Sequence, residues 1–163
     1  MFEEKKQKME NREIERKFLV SGEFRHLAFS SSHICQGYIC RASGRTVRVR
    51  VRDDRAYLTI KGPSSGFSRF EWEKEISIAD AEALMELCEG GFIDKTRYLV
   101  RVGEHVFEVD EFYGDNEGLV FAELELESED EDFERPEWLG EEVTGDRRFY
   151  NSQLLSNPYK NWK

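Results

Sequence analysis

Glu13-Ile14-Glu15-Arg16-Lys17, followed at once by Phe18-Leu19-Val20, is the stretch around which the rest of the chain is organised. Read as part of a strand from about Asn11 to Val20, it places Glu13, Glu15 and Lys17 on one face and Ile14 on the other, because successive side chains alternate. Two carboxylates and an ammonium then stand in a row at intervals of roughly 7 Å. A single such triplet is what any solvated strand face can carry. The same habit recurs in nearly every later strand, and that repetition is what calls for an explanation.

Thr46 to Arg52 alternates strictly, with Arg48, Arg50 and Arg52 against Val47, Val49 and Val51. Asp53-Asp54-Arg55 closes a hairpin into Ala56–Lys61, where Tyr57, Thr59 and Lys61 share a face. Ser68–Ile76 sets Arg69, Glu71, Glu73 and Glu75 against Phe70, Trp72 and Ile76. Ile93–Arg101 carries Lys95 and Arg97 together, and His105–Tyr113 turns Glu108 and Asp110 away from Phe107 and Val109. Leu119–Glu127 likewise separates Glu123, Glu125 and Glu127 from Ala122, Leu124 and Leu126. A further strand is expected near His33–Arg41, with Gln36 and Tyr38 on one face, and Trp72 and Phe107 read as apolar packing residues.

Three helical segments interrupt the strands. Ser21 reads as an N-cap before an apolar-faced piece around Phe24, Leu27 and Ala28. Between Asp80 and Glu89, Ala81, Leu84, Met85 and Cys88 fall at helical spacing until Gly90-Gly91 ends the run. A C-terminal helix is expected from roughly Asp146 to Ser156, capped by Thr144. Gly62–Gly66 and the acidic Ser128–Glu134 read as loops.

The 163 residues suit one domain, 11–163, after a flexible tail over 1–10. No apolar run approaches a membrane span, and the first residues do not read as a signal peptide. Cys35, Cys40 and Cys88 are odd in number and lack metal-site spacing, as for reduced thiols of a cytoplasmic protein. His26, His33 and His105 form no zinc or dyad pattern. A formal charge of -10 argues against non-specific nucleic-acid binding. It leaves room for a small anion wherever the basic residues gather.

About eight mostly antiparallel strands, each with one apolar and one charged face, fit two architectures. An open or sandwiched sheet would expose the charged faces to solvent. A closed barrel would turn its apolar faces outward under helices and line a wet interior with acids and bases.

The residues also carry a resemblance. EIERKFLV from Glu13, with its ExExK core, resembles the opening strand of the CYTH superfamily, the triphosphate tunnel metalloenzymes. QGY at Gln36, VRVR at Val47, LTIKG at Leu58, SRFEWE at Ser68, DKTRY at Asp94, EVDEF at Glu108, AELEL at Ala122 and EVTGDRRFYNSQL at Glu142 follow in order. The resemblance implies an α+β fold: a closed eight-stranded antiparallel β-barrel, the triphosphate tunnel, with helices packed outside. It implies metal-dependent hydrolysis of a linear triphosphate, with Mg2+ or Mn2+ as cofactor. Lys17, Arg48, Arg50, Lys61, Arg69, Lys95, Arg97 and Arg148 become candidates for holding the substrate, since charge and oxygen geometry are all a triphosphate offers. Glu13, Glu15, Asp110, Glu123 and Glu125 become candidate metal ligands, because carboxylates facing a polyanion need a hard cation between. A second metal held by Glu71, Glu73 or Glu125 is a candidate for positioning water, with Lys95 as the alternative, a base. Class IV adenylate cyclases of this superfamily usually carry a His-Phe pair shortly before ExExK, which this chain lacks. Inorganic tripolyphosphate is therefore the leading expected substrate, ahead of nucleoside and thiamine triphosphates, of cyclase activity, and of a non-catalytic polyphosphate- or nucleotide-binding module. The expected partners are small molecules, with no nucleic acid or membrane, in a monomer or homodimer.

Overall fold

Residues 12–162 are described by a computed structural model, so the expected tail and Asn11 at the start of the first strand lie outside them. The alternating stretches become β1 (Arg12–Val20), β2 (Ala28–Ala42), β3 (Arg45–Arg52), β4 (Arg55–Ser65), β5 (Ser68–Ile76), β6 (Ile93–Val102), β7 (His105–Phe112) and β8 (Val120–Leu126). They pair antiparallel in the order β5-β4-β3-β2-β6-β7-β8-β1, and β1 returns to β5, closing an eight-stranded barrel. Among the described residues the closing seam sets Arg12, Glu13 and Ile14 of β1 opposite Phe70, Arg69 and Ser68 of β5, and beyond them the Glu15 N–H donates to the Phe67 carbonyl. Above it a ninth short strand, β9 (Leu139–Glu142), takes the edge of β1, with Phe18 opposite Glu142. Pairing there continues as Val143 donates its N–H to the Lys17 carbonyl and Lys17 donates its own to Thr144 Oγ1.

Both outer layers follow from the apolar faces. Phe18, Phe107, Val109, Leu124 and Trp138 form one buried cluster outside β1, β7 and β8, with Phe133 edge-on to Phe18 at 5.7 Å. Each such fully buried aromatic side chain contributes about 1.5–3 kcal/mol. The helix Ile78–Met85 lays Ala81, Leu84 and Met85 over Val49, Ala56 and Leu58 of β3 and β4. With the apolar faces outside, the charged faces point in.

One end of the barrel breaks that rule. Leu19, Ile93, Phe112 and Phe121 continue the inward faces of Lys17, Lys95, Asp110 and Glu123, yet they are apolar. Phe149 and Leu154 of the C-terminal segment pack into them and stopper that end.

Several local expectations are corrected. Ser21 caps no helix; its N–H donates to the Trp138 carbonyl, and the turn Arg25–Leu27 starts without a side-chain cap. Ser77 caps the helix Ile78–Met85 by accepting from the Asp80 N–H. The expected C-terminal helix splits at Tyr150, whose extended ψ of 128° separates a 3-10 turn, Arg147–Phe149, from the helix Asn151–Leu154. Asp146 caps that turn, leaving Thr144 to β1. The strand β4 runs on through the expected loop to Ser65, with its register shifting between Lys61 and Ser64. Phe107 is buried as expected, whereas Trp72 remains 38% exposed on the outside of β5.

Candidate active site

The inward faces enclose a cavity of about 730 Å³. Strand alternation brings every candidate singled out above to its wall except Asp110 and Arg148. On one side stand Arg48, Arg50, Lys61, Lys95 and Arg97 from β3, β4 and β6; on the other stand carboxylates of β1, β5 and β8.

Around Arg48 and Arg50 the basic wall is buried and short of negative charge, whereas Lys61 pairs with Glu13 and Arg97 with Asp110 and Glu108. Arg50 donates from Nε to Gln36 Oε1 at 2.7 Å. Burial, then the charges of Arg48 and Arg97, lower its pKa to about 9. A guanidinium does not lose its proton at neutral pH, so this marks an under-compensated cation, to which an anion would bind favourably. Arg48 donates from Nη2 to Thr59 Oγ1 at 3.1 Å, while its buried Nε has no acceptor among the described residues. An unsatisfied buried donor costs about 1–3 kcal/mol, which a ligand oxygen would recover. Lys95 is wholly buried and donates to Asp110 at 2.7 Å and to Asn151 Oδ1 at 2.9 Å. Burial lowers its pKa to about 7 despite Asp110, with Arg97 and Arg50 pushing the same way.

Asp110 sits behind this wall. Its carboxylate accepts from Lys95 and, in a fork, from Arg97 Nε and Nη2 at 2.8 and 2.9 Å. Burial would raise that carboxyl, but Arg97 and Lys95 outweigh it and hold the pKa below the ordinary value. The structure therefore brings Asp110 to two cations and not to the cavity, against its expected place among the metal ligands. Arg148 is likewise outside: its side chain is 57% exposed, pairs with Asp146 at 2.7 Å, and stacks over Phe149 and Trp162. The tight turn after Asp146 directs it outward. Arg69 reaches the cavity edge but donates to the carbonyls of Gly62 and Gly44, tying β5 to β4 and to the turn between β2 and β3.

The acidic wall is crowded. Glu13 pairs with Lys61 at 2.8 Å, and this partner outweighs burial to lower its pKa. Glu123 is also lowered, as Lys17 at 3.7 Å together with Arg97 and Lys95 outweighs burial. The others go the opposite way. Burial, then Glu123 and Glu13, raise Glu15 well above the ordinary carboxylate range. Burial and the nearby Glu13 carry Glu71 up to about 7 against the pull of Lys61. Burial, then Glu13 and Glu108, raise Glu125. Carboxylates raised by burial and by neighbouring carboxylates in this way are stabilised as anions by a hard cation. Among the described residues no three His, Cys, Asp or Glu side chains converge as a ready-made metal cage. Mg2+ needs none when one or two carboxylates are completed by phosphate oxygens and water.

Five lining residues of the C-terminal segment, Thr144, Gly145, Tyr150, Asn151 and Ser152, escape the sequence reading. Strand parity was the signal for the others, and this segment has none.

A closed antiparallel barrel with a basic wall facing an acidic one defines a tunnel built for a polyanion together with cations. The chain belongs to the CYTH domain family, whose model matches residues 11–150. It is 49% identical over 153 residues to an inorganic triphosphatase of Acetivibrio thermocellus, spanning 93% of this chain and 98% of that protein. To an inorganic triphosphatase of Nitrosomonas europaea it is 37% identical over 151 residues, 90% of this chain and 99% of the other. A solved inorganic triphosphatase structure matches with a TM-score of 0.61 at 34% identity, covering 88% of this chain and 93% of that one. The family is the one its motifs resemble. No helix among the described residues is long and apolar enough to cross a membrane.

Proposed function

We propose that this chain hydrolyses inorganic tripolyphosphate to pyrophosphate and phosphate, with Mg2+ or Mn2+ at the acidic wall. The observation that carries this reading is the pairing of opposites in one cavity. Buried, under-compensated Arg48 and Arg50 face carboxylates at Glu15, Glu71 and Glu125 whose pKa values are raised by burial and by neighbouring carboxylates, Glu13 in every case.

In this reading Lys17, Arg48, Arg50, Lys61, Lys95 and Arg97 hold phosphate oxygens, the arginines through their forked N–H groups. Glu13, Glu15, Glu123 and Glu125 would hold the metal. When bound, the metal neutralises phosphate charge and makes coordinated water more acidic. Water attacks a terminal phosphorus in line, the bond to the bridging oxygen breaks, and pyrophosphate leaves with that oxygen. Arg48 and Arg50 stabilise charge gathering on the leaving oxygens. Glu71, held near 7, is matched to accept the water's proton at neutral pH, with Glu73 beside the same opening. Lys95, also near 7, is the second candidate base.

The test is a phosphate-release assay of tripolyphosphate, ATP and thiamine triphosphate with Mg2+, Mn2+ or chelator. Metal-dependent release that is fastest from tripolyphosphate is expected. Cyclic AMP formation from ATP without tripolyphosphate turnover would overturn the reading.

A further inference from the structure

The C-terminal segment meets the cavity's cations at the Phe149 carbonyl, which accepts from Lys17 Nζ at 2.9 Å, and at the Asn151 amide, which reaches the basic wall. Asn151 Oδ1 accepts from Lys95 Nζ at 2.9 Å and from Gln36 Nε2 at 3.2 Å. Gln36 in turn accepts from Arg50 Nε through Oε1 at 2.7 Å, and its Nε2 also donates to the Tyr38 hydroxyl at 3.1 Å. Lysine and arginine can only donate, so the orientation of both amides follows from the chemistry. Arg50 demands the Gln36 oxygen, which leaves the Gln36 nitrogen for Asn151. Lys95 demands the Asn151 oxygen. Two cations from different strands are thus tied, through two neutral amides, to one atom of the segment that stoppers the barrel.

We propose that Asn151 is a positioning residue for the triphosphate. An ammonium has three donors. Asp110 and Asn151 hold two of those on Lys95, which leaves the third N–H for a phosphate oxygen at the cavity that Lys95 lines. Through Gln36 the same oxygen fixes the Arg50 side chain, leaving its terminal nitrogens to face substrate. An amide suits this post because it accepts two hydrogen bonds without neutralising either cation. A carboxylate here would compete with the phosphates for the charge it was positioning. The inference rests on the triphosphatase reading for its ligand, though not for its geometry.

The experiment compares Asn151→Ala with Leu154→Ala, which empties part of the apolar stopper without touching Lys95. Metal-free tripolyphosphate binding is read by calorimetry, turnover with Mg2+ by phosphate release, and folding by melting. N151A is expected to weaken metal-free binding about tenfold and to lower kcat/KM at least as much, as for loss of hydrogen bonds to charged groups. L154A should stay within about threefold of wild type in both, even though it melts lower. In a Gln36→Ala background, N151A should add less than about threefold, because the two lie in one chain of bonds. Equal losses in N151A and L154A at matched destabilisation, or additive losses with Q36A, would overturn the proposal. If N151A does not fold, Asn151→Asp keeps both accepted bonds and adds a charge. It should melt like wild type yet bind tripolyphosphate more weakly, and wild-type binding by N151D would count against Asn151. Absence of turnover in the wild type would instead sink the hydrolase reading, while the metal-free binding comparison would still decide the role of Asn151.

Discussion

Glu71→Gln should stabilise the metal-free protein while abolishing its turnover. The folded carboxyl titrates near 7 against an ordinary 4.5, through burial and the proximity of Glu13, so the folded state binds this proton more tightly than the unfolded one. Below about 4.5 both states are protonated and the group is neutral to stability. Between 4.5 and 7 a destabilising contribution grows, and above 7 it is complete. A rise of that size corresponds to roughly 3 kcal/mol. Glu71 is partly open to solvent, which screens its neighbours, so about 1.5 kcal/mol is the expected effect. For a domain of this size that raises Tm by about 3–6 °C. Melting of wild type and E71Q without metal, at pH 8 and pH 5, measures it. E71Q should melt higher at pH 8, lose most of that advantage at pH 5, and lose it again when Mg2+ is added to both. An E71Q midpoint equal to or below that of wild type at pH 8 would refute the electrostatic account of the acidic wall.

Other outcomes follow from the same wall assignments. Replacing Arg48 and Arg50 by Ala should weaken metal-free tripolyphosphate binding, each charge-assisted contact being worth about 1.5–3 kcal/mol; unchanged calorimetric affinity would show that the guanidiniums do not face substrate. Glu13→Gln with Glu15→Gln should abolish Mg2+-dependent phosphate release while metal-free binding survives or tightens, and wild-type turnover by this pair would remove the metal from the acidic wall. Asp110→Asn should cost about 3–5 kcal/mol in denaturant unfolding, because it strips the shared counterion from buried Lys95 and Arg97; a loss below about 1 kcal/mol would mean those cations are solvated. Arg148→Ala should leave turnover within about threefold of wild type, and a large loss would bring its side chain back to the tunnel.

Much of the barrel was legible because a strand with one dry face and one wet face writes its period directly into the chain. Arg45–Arg52 reads RTVRVRVR, and its arginines all reach the cavity except the first, which has the parity of the valines. What parity cannot tell is depth. Asp110 has the same inward parity as Glu108, yet Glu108 lines the cavity and Asp110 is sealed behind Lys95 and Arg97. The change from charged to apolar along one inward face, Lys17 then Leu19, or Glu123 then Phe121, was present in the sequence as the mark of the stoppered end. The strand β9, four residues reading LGEE, is too short to show a period. Arg148 misled because helical periodicity does not anticipate a 3-10 turn held by Asp146. Asn151 was hidden because its partners, Lys95 and Gln36, lie 56 and 115 residues away.

The outer face of the β4–β5 hairpin has a consequence for how the protein behaves in a crowd of its own copies. Ile60 stands opposite Trp72 in the register, and these two and Phe70 are each more than a third exposed. Apolar surface gathered in one place is a natural point of association between molecules. Lys74 is exposed on the same outer parity, and charge interspersed among apolar residues opposes such association. Lys74 lies outside the cavity lining, so its part is in the colloidal stability of the chain. Its replacement by an apolar residue would show as turbidity and leave turnover alone.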